Sequence, residues 1–169
     1  RLAVRASVLF VSLVAAALIF PATGQAIPYP VAIDSTNFPD ATWRGYANTN
    51  FAGGDYILTQ TEAEAVTSVS VVNRGITDLT GIEYFVNTTN LDCAQNSLTF
   101  LDLTGLASLQ KLDCRNNALT SLDVAGLTGL QRLSCQRNAL TSLNLAGLTG
   151  LQRLNCDFNS LTSLDVADL

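Results

Sequence analysis

Four thiols stand at one fixed interval: Cys93, Cys114, Cys135 and Cys156, each 21 residues from the next. Thiols can pair as disulfides, hold a soft metal or act as nucleophiles. A disulfide framework shows uneven spacings, and paired metal ligands come as short CxxC units. Neither pattern is present here. The reading is a ladder of small buried thiols, with an oxidised neighbouring pair as the alternative. A second column, Asp102, Asp123, Asn144 and Asp165, repeats at the same interval. Stacked carboxylates invite a metal or a glycosidase-style pair. Yet Asn144 interrupts the charge, and each of these residues precedes a bend where it can accept backbone N–H groups. Structural use is the expectation for both columns.

Other chemistry is short of its usual residues. The 169-residue chain has no His and one Lys, Lys111, so imidazole ligands, neutral-pH general base catalysis and Schiff-base chemistry lack their side chains. No nucleophile, base and oxyanion donor converge in the pattern, so no catalytic residue, metal or cofactor is expected. The net charge is −5. Nucleic acid and anionic membrane surfaces reward the opposite sign, which argues against both as partners.

Residues 1–26 read as an export signal. Arg1 and Arg5 make a basic start, Ala6 to Phe20 is an uncharged apolar run, and Gly24-Gln25-Ala26 supplies small residues for cleavage. A bilayer span needs about 20 apolar residues. This run of 15 is short for an anchor, so no membrane insertion is expected after cleavage. Its loss leaves 7 basic and 14 acidic residues, a net −7. Secretion or display at the cell surface follows. The chain starts at Arg1 rather than Met and stops at Leu169 partway through a repeat, which reads as a truncated fragment.

What must position the two columns is the repeat itself. Aligned on Cys, the units are LDCAQNSLTFLDLTGLASLQK from Leu91, LDCRNNALTSLDVAGLTGLQR from Leu112, LSCQRNALTSLNLAGLTGLQR from Leu133 and LNCDFNSLTSLDVADL from Leu154. In LDC, Leu112 and Cys114 point inward and Asp113 outward, as the two-residue strand period requires. Asn96, Asn117, Asn138 and Asn159 fall where the chain leaves the strand, and stacked copies make an Asn ladder whose amides satisfy backbone groups. Leu119, Leu122, Val124, Leu127 and Leu130 fill the rest of one coil, with Gly126 and Gly129 at its bends. Extended or turn-like structure is expected on the convex side, with a second short parallel ladder at LDV as one form. A weaker copy, VTSVSVVNRGITDLTGIEYF, covers 66–85 with Arg74 in the Asn position.

The LxCxxNxL opening and the second-half rhythm LxxLD(V/L)xxLxxL resemble bacterial leucine-rich repeats of the 21-residue nested class called IRREKO. The resemblance spans 66–169, about five repeats with the last incomplete. It implies a solenoid with a parallel β-strand ladder on its concave side. Before it, residues 27–65 lack the repeat. Pro39 begins a short helix carrying Trp43 and Tyr46, and Thr59 with Glu62 makes a capping box for a second. The stretch NFPDATWRGY…NFAGGDYILTQTE resembles the small helical cap preceding such repeats, with an EF-hand-like loop. With Glu62 at the twelfth position, the first and third fall on Phe51 and Gly53 and the sixth on Tyr56. Calcium needs about six to eight oxygens, so the loop reads as a degenerate remnant. A formal glycosylation sequon, Asn87-Thr88-Thr89, carries little weight beside a bacterial resemblance.

The resemblance further implies an internalin-like role, binding a protein or surface glycan on the concave sheet. Its outward residues vary most between copies. Lys111, Arg132 and Arg153 precede the Leu; Asp113 and Asn155 lie between Leu and Cys; Arg115, Arg137 and Phe158 follow the Cys. Phe158 beside Arg137 and Arg153 suits an aromatic-and-arginine anchor. The alternatives are an accessory arm of a larger secreted enzyme and a structural spacer of a surface adhesin.

Overall fold

A computed structural model describes residue 27 and residues 29–166. The export-signal reading of 1–26 lies outside them. The first elements are β1 (Val31–Ala32), α1 (Ala41–Asn50), β2 (Ile57–Leu58) and α2 (Gln60–Ala65). There follow β3 (Ser68–Ser70), a 3-10 turn (Ile82–Tyr84), β4 (Asn90–Asp92), β5 (Lys111–Asp113), β6 (Arg132–Ser134) and β7 (Arg153–Asn155). β1 and β2 pair antiparallel. The remaining five strands form one parallel sheet in chain order, β3-β4-β5-β6-β7.

The register follows the repeat. Val69, Leu91, Leu112, Leu133 and Leu154 are successive partners across the ladder. Hydrogen bonding continues past each strand: the Cys93 N–H donates to Asp113 O at 2.8 Å and the Gln95 N–H to Arg115 O at 2.9 Å. Leucines, valines and cysteines of consecutive coils stack into one continuous core, from Val69 through Leu148. One coil cannot cover its own leucines, so each depends on its neighbours.

α1 starts at Ala41, two residues after the expected Pro39, because Asp40 is the N-cap. Its Oδ1 accepts the N–H groups of Thr42 and Trp43 at 2.8 and 3.0 Å. Its Oδ2 accepts the Thr77 N–H and hydroxyl at 2.9 and 3.1 Å, tying the helix to the first coil. Burial opposes that charge, but these four donors outweigh it and hold the Asp40 pKa below its usual value. Trp43 is fully buried against Phe38 and Phe85, and its Nε1–H reaches Thr80 O at 3.0 Å. Gly81 permits this packing: its φ is 101°, and a Cβ there would sit 2.5 Å from the Phe38 ring. The capping box of α2 forms as expected, with Thr59 and Glu62 each bonding the other's backbone N–H.

The convex side differs from one expectation. No second ladder forms at LDV among the described residues. The side chains of Asp102, Asp123 and Asn144 accept the N–H two residues on, at 2.8, 2.9 and 3.0 Å, and turn the backbone away from strand pairing. Coil-to-coil bonds fall earlier instead, as in Ala118 N–H to Leu98 O and Ala139 N–H to Leu119 O. Where a bend carries two glycines, as in the coils from Leu112 and Leu133, only the first is required. Gly105, Gly126 and Gly147 have φ of 82° to 86°, whereas Gly129 does not adopt a left-handed conformation.

Candidate functional site

Strand pairing sorts the concave face into columns. The residue before each inward Leu or Val is Ser68, Asn90, Lys111, Arg132, then Arg153. The residue after it is Ser70, Asp92, Asp113, Ser134, then Asn155. These columns border a shallow trough of about 410 Å³, lined by residues from Ser68 to Ser134. Adjacent strands lie about 4.8 Å apart, so each column presents side chains at that interval.

Lys111, Arg132 and Arg153 are exposed, and their side chains make no hydrogen bond or ion pair among the described residues. The other described cations are engaged. Arg44 donates to the carbonyls of Phe38 and Pro39. Arg74, in the position of the missing Asn, lies 4.6 Å from the Tyr46 ring centroid. Arg115 pairs with Asp113 at 3.1 Å. Partial burial raises the Asp113 pKa, the N–H and charge of Arg115 lower it, and Asp92 on the facing rung raises it; the net shift is upward.

The third outward column has a backbone feature that sequence reasoning missed. Asn73, Gln95, Asn116, Arg137 and Phe158, each two residues past an inward Val or Cys, all have φ of 53° to 57°. That left-handed region costs a non-glycine residue about 1 kcal/mol or more, least for Asn. The two asparagines were the available signal. Phe158, in this conformation, presents a 74% exposed ring at the sheet margin, with the Arg137 guanidinium 4.9 Å from its centroid. The expected pairing with Arg137 is present. Arg153 takes no part in it.

Beneath the surface, both ladders form. Nδ2 of Asn138 donates to Cys114 O of the preceding coil at 3.1 Å and to Cys135 O of its own at 3.0 Å. Its Oδ1 accepts the Leu119 N–H at 3.0 Å. Asn117 and Asn159 repeat these bonds, and Asn96 serves the first coil through Val71 O and the Arg74 and Ile76 N–H groups. Cys93, Cys114 and Cys135 are buried and Cys156 half-buried, all as free thiols. Burial pushes the Cys135 pKa up to about 12 and those of Cys93 and Cys114 well above the usual range. Thiolate chemistry is thereby suppressed.

On the opposite side, Phe100, Asp102, Ser121, Asp123, Ser142 and Asn144 line an open groove of about 640 Å³. One oxygen each of Asp102 and Asp123 is spent on its own turn. In the cap loop, Asp55 accepts the Ile57 N–H, Glu62 is held by Thr59, and Phe51 packs on Phe85. Tyr56, at the sixth position, takes a φ of 63°. Asn87 of the sequon donates to Glu64 O at 2.9 Å. Among the described residues no group of three or more His, Cys, Asp or Glu could hold a metal, and no helix is long and apolar enough to cross a membrane.

This geometry is that of a leucine-rich repeat solenoid. No protein-family model matches the chain, and no curated protein does. Solved structures do. The functional domain of InlJ from Listeria monocytogenes, which includes a cysteine ladder, is 35% identical with a TM-score of 0.72 over 81% of this chain. An internalin C2 from Listeria monocytogenes is 26% identical with a TM-score of 0.62 over 80% of the chain. The match spans 30% of the InlJ domain and 72% of the internalin C2 structure. An internalin (inlF) from that organism, at 24% identity and a TM-score of 0.57 over 80% of this chain and 48% of its own, shares the fold. The chain thus has an internalin-like leucine-rich repeat fold.

Proposed function

We propose that this protein is an exported, non-enzymatic recognition module whose concave sheet binds a protein partner. One contrast carries the reading. Inward positions repeat almost without change, as in Leu91, Leu112, Leu133 and Leu154, while the outward columns change charge, size and aromaticity from rung to rung. A purely structural coil needs no such variety. Cations without partners and an exposed aromatic held in a costly conformation are features that a bound partner would use. The similarity to InlJ and internalin C2 supports an interaction role, and the apolar run at 6–20 supports export.

The test is a screen of the purified chain against arrays of extracellular proteins and of glycans, followed by mapping of each hit. Arg137→Ala with Phe158→Ala should weaken a true partner by about 2 kcal/mol, roughly 30-fold, at unchanged folding. Ser121→Arg, in the groove on the other side, should leave affinity intact. Loss of affinity with Ser121→Arg alone would move the site to the convex face and refute the reading. A hit confined to the glycan array would overturn the choice of a protein.

A further inference from the structure

The charges on the concave face are arranged in a way that the fold alone disfavours. Lys111 is the register partner of Arg132, and Arg132 of Arg153. Like charges directly opposite one another destabilise a sheet. No acidic group pairs with any of the three among the described residues, although the chain carries 14 acids against 9 bases. In the neighbouring column the sign reverses at the other end: Asp92 and Asp113 face each other on β4 and β5, whereas β6 and β7 carry the neutral Ser134 and Asn155 there. Asp113 is neutralised by Arg115 at 3.1 Å, so the acid left without a cation among the described residues of this column is Asp92 on β4, and the free cations run from Lys111 at the trough past its edge to Arg153 on β7.

Building on the recognition reading above, we infer that this trough docks an α-helical protein segment, whose carboxylates meet the row Lys111, Arg132 and Arg153. The spacing selects a helix. Three rungs place their charges at 0, about 4.8 and about 9.6 Å along the solenoid axis. On a helix rising about 1.5 Å per residue, positions i, i+3 and i+7 share one face at 0, about 4.5 and about 10.5 Å. An extended segment repeats a face only about every 6.8 Å and falls out of step by the third rung. The reversed charge selects protein over an anionic polysaccharide. A uniformly negative polymer running along the trough meets the unpaired Asp92, while a helix can offer a Lys one turn before its first Glu.

The experiment uses the whole chain and a stapled helical peptide with Glu at i, i+3 and i+7 and Lys at i−4, titrated by fluorescence anisotropy. Controls are the peptide with Gln in place of Glu, and heparin. The acidic peptide should bind, the Gln peptide at least about tenfold more weakly, and affinity should fall as salt rises from about 50 to about 200 mM. Arg132→Gln should lose peptide affinity while its Tm stays level or rises, since a repulsive pair is removed on each side. A simply structural Arg132 would instead lower Tm. The triple charge reversal Lys111→Glu, Arg132→Glu, Arg153→Glu should prefer a peptide with Lys at i, i+3 and i+7.

Equal binding of the Glu and Gln peptides, or no binding of either, overturns the inference. Heparin binding more tightly than the acidic peptide, and lost in Arg132→Gln, would assign the row to anionic polysaccharide and overturn it as well. If an array partner tolerates the charge reversal yet needs Arg137 and Phe158, concave recognition stands and the helix assignment falls.

Discussion

Replacing Asn138 by Ala tests how the solenoid is held together. The amide makes three hydrogen bonds: from the Leu119 N–H, to Cys114 O and to Cys135 O, at 3.0, 3.1 and 3.0 Å. Two of these reach the preceding coil, so Asn138 joins neighbours as well as shaping its own turn. At a net contribution of about 1 kcal/mol per bond, Asn138→Ala should cost about 3 kcal/mol. For a domain of this size that is a Tm drop of about 6–12 °C. Because repeat stability is a sum of coil and interface contributions, the loss should appear in urea unfolding and as faster amide exchange at Leu119. Asn159 makes the corresponding bonds to Leu140, Cys135 and Cys156. A loss under about 1 kcal/mol at Asn138 would refute the view that the amides staple adjacent coils.

Other perturbations follow from the same geometry. Cys135→Ala should cost about 1 kcal/mol and spare binding, and a thiol reagent on the native protein should label Cys156 well before the buried Cys93 and Cys114. Arg137→Asn and Phe158→Asn should each raise stability by about 0.5–1 kcal/mol in thermal melts, since Asn tolerates the left-handed backbone. Gly81→Ala, which forces a Cβ into the Phe38 ring, should destabilise several-fold more than Gly126→Ala, where the space is open and only the φ of 82° resists. Glu83 is buried and accepts the Gly81 N–H at 2.7 Å. Burial raises its pKa above the usual carboxylate value, bonds from its own and the Gly81 N–H groups partly offset this, and Asp102 and Asp78 add to the rise. The folded state thus holds the proton more tightly than the unfolded chain, and stability falls as pH rises from about 4 through the raised value. Glu83→Gln keeps an acceptor and should abolish that fall in melts across pH, gaining stability at pH 7 and nothing below about pH 4.

The stacked coils were readable because burial leaves a periodic trace. Leu112, Cys114, Leu119 and Leu122 must be apolar in every copy, so spacing alone yields strand, turn and inward face. Columns of Asn and Asp were readable for a related reason, since backbone groups at a turn need a short polar side chain. Three features left no such trace. Asp40 caps α1 and also reaches Thr77, 37 residues away, a tertiary bond invisible in the local Pro39 signal. The alternation of LDV reads as a strand, yet the Asp123 carboxylate bends that backbone by taking the Ala125 N–H. Left-handed backbone at Gln95, Arg137 and Phe158 is imposed by the coil and not by those side chains, so their types carried no hint of it. The concave residues sit as the repeat phase required; which of them a partner touches depends on that partner's surface.

The most direct measurement is a calorimetric titration of a partner identified by array, with the wild-type chain and with Arg132→Ala, Arg153→Ala and Phe158→Ala combined. Both proteins would be melted alongside. The expected result is an affinity loss of about 100-fold or more at a Tm equal to or above wild type. Undiminished affinity in the folded triple variant would contradict the concave face as the recognition surface.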